Sequence, residues 1–263
     1  MQGAQVVSRV TAILKVLGAA IDEGASTTEI ATLCALSRPT AHRLLSTLAR
    51  EGLAERPSDS TKWRLGPEIH FLGMLARGHH NLFSDARPFL AELAGRTGES
   101  AFLSTRRGQE TLCLLREEGS FPLRSFVLHE GSRFPLGVGS AGIAFLSSFT
   151  DHWVAEYLAK HDLSSPWGPQ HAVSLVRDRV ATARELGYAL NPGLILEGDW
   201  GMAVSVPSSL GRPEWALSVT GVESRFRPER QGEMGLILAD IAARLAATIA
   251  RTPANSVAHN TQA

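Results

Sequence analysis

Cysteine is nearly absent from the sequence: Cys34 and Cys113 are the only two, and the organisation described below puts them in different domains. Two thiols so separated build no disulfide framework and imply a reducing compartment. Neither has a partner at ligand spacing, so no structural zinc or other metal is expected. Also missing is any run of about 18 apolar residues, the length a helix needs to cross a bilayer, so no membrane span is expected. The start, Met1-Gln2-Gly3-Ala4-Gln5, has no basic region followed by an apolar stretch, which makes the cytoplasm the expected location. Neither charge is in excess, since 26 basic and 26 acidic residues cancel. Affinity for a polyanion must therefore come from a local cluster. No carboxylate pair or Ser-His-Asp set stands at catalytic spacing; Glu117, Glu118 and Glu156 read as solvated faces, and His129, His152, His161 and His171 are scattered. What is present is 263 residues, 44% of them hydrophobic, enough for two packed domains.

The first domain is organised around Leu36 to Arg50. Ala41, Leu44, Leu45 and Leu48 fall at i, i+3, i+4 and i+7, which predicts a helix with one buried stripe. At about 100° per residue the opposite face carries Pro39, Arg43, Ser46 and Arg50, with His42 and Thr47 on its shoulders. Ser37 is a suitable N-cap and Pro39 suits the first turn. Arg38 and Thr40 then stand at the positive end of the helix. Upstream, Ser26-Thr27-Thr28-Glu29 reads as a capping box opening a short helix with Ile30, Ala31, Leu33 and Cys34 inward. Before it, Val10, Ile13, Leu14, Leu17 and Ile21 supply a third helix. Downstream, residues 51–56, the polar turn 57–60 and residues 61–65 read as a hairpin wing whose tip and return strand carry Lys62 and Arg64. Between Arg38 and Arg64 the cations Arg38, Arg43, Arg50, Arg56, Lys62 and Arg64 outnumber Glu51, Glu55 and Asp59. That order of elements is a winged helix-turn-helix, whose second helix enters the major groove of double-stranded DNA. The weak overall charge implies binding as an oligomer on paired half-sites.

A boundary falls near Gly66-Pro67, where Pro67 starts a linker helix continued by Ile69, Leu72, Leu75 and Ala76. Gly78-His79-His80-Asn81 breaks it; adjacent histidines on a helix point about 100° apart and do not share an ion readily. Ser84-Asp85 reads as the cap of a helix with Leu90, Leu93 and Ala94 inward, ending at Gly98. Strands are expected over 100–105 and 110–115, joined by a hairpin, and over 123–128. Helices follow over 140–148, 151–160 and 175–186, strands over 188–190, 202–207 and 215–222, and a closing helix over 228–251. Hairpins first and helices afterwards predict an α+β fold, an antiparallel sheet covered by helices. The expected division is 1–66 for the DNA-binding domain, 67–82 for the linker helix, 83–251 for the second domain, and 252–263 for a disordered tail.

Gly137-Val138-Gly139-Ser140-Ala141-Gly142 spells G-x-G-x-x-G. A dinucleotide fingerprint needs a preceding buried strand and a following parallel one, and neither is expected here, so no cofactor is assigned. A hydrolase elbow would require glycine at Val138. The surviving reading is an anion site: backbone N–H groups of Gly139, Ser140, Ala141 and Gly142 at a helix start, with the Ser140 hydroxyl beside them.

The chain resembles the IclR-type transcriptional regulators from Val6 to Arg251. The resemblance is carried by Arg38-Pro39-Thr40-Ala41-His42-Arg43-Leu44-Leu45, Glu51-Gly52-Leu53, Arg64-Leu65-Gly66, Gly131-Ser132-Arg133-Phe134-Pro135-Leu136, Gly187-Tyr188-Ala189 and Ala216-Leu217-Ser218-Val219-Thr220-Gly221. It implies a GAF-like effector domain and a homodimer or homotetramer on a palindromic operator, tuned by a small organic effector. Its pocket positions fall on Ser140, Ala141, Asn191, Asp199, Gly201, Ser218 and Thr220, with Met202 adjacent. Where the family often has Thr-Ala-Leu-Gly-Lys-Ala this chain reads Gly139-Ser140-Ala141-Gly142-Ile143-Ala144, and Leu190-Asn191-Pro192-Gly193 replaces an acidic stretch. Together these readings place an effector carboxylate at the helix start, its body against the strands of Gly201 and Ser218, and Trp200 as a wall for an aromatic ring. The DNA-binding set is Ser37, Arg38, Pro39, Thr40, His42, Arg43, Ser46, Thr47, Arg50, Lys62 and Arg64. A second reading, an enzyme with an appended DNA-binding module, predicts turnover of the ligand instead.

Overall fold

The computed structural model describes residues 2–20, 23–77, 82–123, 127–208 and 212–251. Ile21, the paired His79 and His80, and the tail 252–263 lie outside them. The chain divides into two compact units, Met1–His80 and Asn81–Ala263, so the helix that follows Gly66 groups with the first unit.

The first unit runs α1 (Gln2–Ala19), β1 (Ala25–Ser26), α2 (Thr27–Leu33), α3 (Arg38–Arg50), β2 (Ala54–Glu55), β3 (Lys62–Leu65) and α4 (Pro67–Arg77). The capping box forms: Ser26 Oγ accepts from Glu29 N at 3.3 Å while Ser26 N donates to Glu29 Oε2 at 2.7 Å. The turn into α3 closes with Leu36 N donating to Ala31 O and holds Ala35 at φ +51°. Ile13, Leu17, Ile30, Leu45, Leu48 and Trp63 make the core, as helical spacing requires. Leu33 departs from the expected inner face: Ile30 and Ala31 fill the contact, and Leu33, at the last turn, is 70% exposed. The wing strands are shorter than expected because the end of α3 holds residues 51–53 in a turn, with Leu53 N bonded to Leu48 O and Gly52 at positive φ. Only Ala54 and Glu55 remain to pair with β3, whose other edge takes the unanticipated β1.

The second unit contains α5 (Leu82–Thr97), β4 (Ser100–Arg107), β5 (Glu110–Glu117), β6 (Arg133–Pro135), α6 (Ser140–Ser147), α7 (Asp151–Lys160), α8 (Ser164–Trp167), α9 (Val173–Leu186), β7 (Ala189–Pro192), β8 (Asp199–Ser205), β9 (Trp215–Val222) and α10 (Pro228–Arg251). Six strands form one sheet in the order β6-β5-β4-β9-β8-β7, antiparallel at every step. Alternation along the strands sends Leu103, Met202, Val204, Leu217 and Val219 into a core with α5 and α10. The opposite face sends small residues, Ala189, Ala203 and Ala216, against α6, α7 and α9. Buried Glu99 fastens the start of α10 to the sheet by accepting from Arg225 Nε and an Arg230 guanidinium nitrogen, each at 2.8 Å. Two expectations need correction. Ser84 and Asp85 lie inside the first turn of α5, which starts at Leu82. Of the strand expected over 123–128, the described residues Leu123, Val127 and Leu128 are not extended partners, because the free edge of β5 is taken by β6.

Candidate functional site

Two surfaces carry chemistry, one in each unit. On α3, Ala41, Leu45 and Leu48 are buried while Arg38, Pro39, His42, Arg43, Ser46, Thr47 and Arg50 are exposed. Several hydroxyls are already engaged: Ser37 Oγ accepts from Thr40 N and lies 2.8 Å from Thr40 Oγ1, and Thr47 Oγ1 donates to Arg43 O. Ser37 and Thr40 thus build the helix start, and the outward row is Pro39, Arg43, Ser46 and Arg50. Lys62 stands at the beginning of β3 opposite Ser26, 3.9 Å from Glu23, and not at the hairpin tip. Arg64 is exposed on the same strand. Arg56, further along the wing, lies over the Trp63 ring, a contact that steadies the hairpin.

In the second unit a cavity lies between the sheet and the start of α6. Its floor is polar, with Ser104, Thr111, Asn191, Asp199, Ser218 and Thr220. Gly139, Ser140 and Ala141 bound it at the helix start, and Val127, Leu128, Phe134 and Ile195 form an apolar wall. The floor follows from the pleat. Ser218 and Thr220 alternate with the core residues Leu217 and Val219, so both hydroxyls face the cavity. Among the described residues neither Ser218 Oγ nor Thr220 Oγ1 has a hydrogen-bond partner, although both are buried. Buried hydroxyls without partners are costly, and a ligand atom relieves the cost.

The other wall supplies donors. Gly139 is the N-cap of α6 and offers no side chain to its first N–H groups, which leaves the positive end of the helix open to an anion. Gly201 keeps this wall clear, since a Cβ there would stand 3.2 Å from Ser140 Oγ. Asn191 is occupied in positioning: its Nδ2 donates to Val138 O at 3.0 Å and its Oδ1 accepts from Leu194 N at 3.0 Å. Val138 O also lies 3.4 Å from Nε2 of buried His171, whose Nδ1 is 2.9 Å from Trp167 O. Burial pushes the His171 pKa down, favouring the neutral ring. The Cys113 thiol is pushed up to about 12 by burial, which leaves it inert. Among the described residues no group of three or more His, Cys, Asp or Glu can hold a metal ion. No described helix is long and apolar enough to cross a membrane.

Three expected pocket residues lie elsewhere. Trp200 and Met202 flank Gly201, so the pleat turns them to the opposite face, where Met202 is fully buried and Trp200 packs near Phe226. Gly142 is structural: a Cβ there would meet Gly137 N at 2.9 Å. Ser104, Thr111, Val127, Leu128, Phe134 and Ile195 were not anticipated as cavity residues. Ser104 stands beside the core residue Leu103 as Ser218 stands beside Leu217, but Phe102 on the other side of Leu103 and a register shift between Leu103 and Ser104 break the alternation that would have disclosed it. The apolar wall comes from loops and has no periodic signal.

The model of the bacterial transcriptional regulator IclR C-terminal domain matches residues 74–247, and that of the IclR helix-turn-helix domain matches residues 6–58. Among curated proteins the chain is similar to the HTH-type transcriptional regulator BhcR of Paracoccus denitrificans, with 30% identity over 82% of this chain and 77% of BhcR. It is also similar to the transcriptional repressor IclR of Escherichia coli, with 23% identity over 80% of this chain and 78% of the repressor. Two solved structures share the fold. An IclR transcriptional regulator from Alicyclobacillus acidocaldarius has a TM-score of 0.78 at 24% identity, covering 92% and 98% of the two chains. An IclR homologue from Microbacterium hydrocarbonoxydans, complexed with 4-hydroxybenzoate, has a TM-score of 0.75 at 24% identity, covering 93% and 99%.

Proposed function

Because the chain belongs to the IclR family of ligand-responsive bacterial transcriptional regulators, we propose that it binds a palindromic operator as a dimer or tetramer and releases or grips it according to a small carboxylate in the α6 cavity. The family consists of regulators, so the reading as an enzyme is set aside. The observation that carries the effector assignment is the pair of buried, unpartnered hydroxyls on Ser218 and Thr220 facing an uncapped helix start. Hydroxyl and backbone donors converging on one space suit a carboxylate, and the apolar wall of Phe134, Val127, Leu128 and Ile195 suits an apolar or aromatic body. The 4-hydroxybenzoate held by the Microbacterium homologue agrees with that class. DNA contact falls to α3 with Arg43 and Arg50 toward the duplex, and to Arg64 and Lys62 toward phosphates. The site of action is the cytoplasm. Control requires only that the ligand bind two placements of the DNA-binding heads unequally.

Calorimetric titration with benzoate, 4-hydroxybenzoate and short aliphatic acids tests the assignment. One of these acids binds the full chain, and Ser218→Tyr or Ser140→Tyr, which fill the space, abolishes the heat while a gel shift on the adjoining promoter persists. Undiminished binding in both variants removes the cavity from the account.

A further inference from the structure

We propose that α3 reads guanine in the major groove and that Arg43 is the specificity-determining residue; this rests on the DNA-binding reading above and gives it a base. From Ser37 to Arg50 the helix contains no Asn, Gln, Asp or Glu. Adenine is read in the major groove by a side-chain amide donating and accepting at once, and cytosine by a carboxylate accepting from N4. This helix has neither group, so arginine is the side chain on it that can engage a base edge through two hydrogen bonds at once. The hydroxyls of Ser37, Thr40 and Thr47 are engaged within the helix. The exposed polar side chains that remain are Arg38, Arg43 and Arg50, with His42 and Ser46, which offer single contacts to either kind of base edge.

Position separates the arginines. Arg38 is the first residue of α3 and Arg50 the last, and at about 100° per residue Arg38 lies nearer the buried stripe than the outer face. Arg43 stands opposite Ala41, Leu45 and Leu48, in the part of the helix that meets base edges in this docking mode. Its neighbours along the outer row, Pro39 and Ser46, are short and let the guanidinium reach past them. Among the described residues no ion pair holds Arg43 back. A free guanidinium fork pairs with O6 and N7 of guanine together, a match no other base offers.

The test selects duplexes with a random core of about 20 base pairs, two half-sites long, on the full chain. The enriched duplexes carry guanine at a fixed position. Replacing that guanine with 7-deazaguanine, which lacks N7, weakens binding roughly 5- to 150-fold. Inosine, which keeps N7 and O6 and drops only the minor-groove amino group, leaves it within about twofold. Arg43→Ala, confirmed folded by circular dichroism, binds the guanine and 7-deazaguanine duplexes alike, and Arg43→Lys keeps salt-dependent affinity but loses most of the difference. An enriched set with no fixed guanine, indifference to 7-deazaguanine, or a preference that survives in Arg43→Ala overturns the assignment. If no sequence is enriched at all, what falls is the DNA-reading role of α3 itself.

Discussion

Ala35 is the one non-glycine residue among those described with positive φ, at +51°. An L-residue in the left-handed region costs about 1–2 kcal/mol relative to the right-handed one, because Cβ crowds the following carbonyl oxygen. The turn from α2 to α3 imposes this geometry, since Leu36 N must reach Ala31 O. Ala35→Gly should therefore raise the unfolding free energy of the first unit by about 0.5–1 kcal/mol, the relief outweighing the extra freedom of glycine in the unfolded chain. Native-state hydrogen exchange of the slowest amides in α2 and α3 measures it, and faster exchange in Ala35→Gly would show that the turn carries no such cost. At this scale the sequence was readable where a side chain declares its own bond, as at Ser26 with Glu29 and at Ser37. It was not readable at Trp200 and Met202, because a choice between two faces of a strand depends on where its neighbours register.

Long elements with an unbroken period were legible nearly to the residue. Helix α7 and helix α10 begin and end where their patterns do, and β9 alternates Leu217 and Val219 with Ser218 and Thr220. Short pairings were not: β1 has two residues and β6 three, too few for a period, and both exist because a longer strand presents an edge. The packing of α5 on α10 adds an electrostatic clasp. Arg244 donates to both carboxylate oxygens of Glu92, and Arg96 to one of them. The Arg244 contact, with Arg96 behind it, holds the Glu92 carboxyl down to about 2. A depressed carboxylate contributes stability that is complete above its unfolded value near 4.5 and fades as pH falls through about 2. The gap in melting temperature between wild type and Glu92→Gln should be fully open at about pH 6 and narrow steadily as pH falls from the unfolded value toward about 2. A gap independent of pH would assign the loss to packing instead of charge.

For the whole molecule, the apolar surface of α4 is the feature that a single copy leaves unexplained. Phe71, Leu72, Met74 and Leu75 are each about half exposed, on a helix that Pro67 and its apolar spacing made legible. Exposed apolar side chains in such density mark an association surface. A second copy of the chain is the partner that the proposed palindromic operator calls for, since twofold DNA sites mirror twofold proteins. Leu72→Glu combined with Leu75→Glu should shift the sedimenting species to the monomer and weaken operator binding, with effector heat unchanged. A double variant that remains dimeric would place the interface on other residues.

The middle of the large sheet is where β4 meets β9, strands drawn from opposite ends of the second unit. A nascent chain must therefore deliver nearly its whole length before Ser100–Arg107 gains its second neighbour. The reader of DNA, complete by Arg77, is born well ahead of the sensor that will govern it, and a ribosome that stalls in between leaves a binder without a governor and a bare strand edge open to wrong partners.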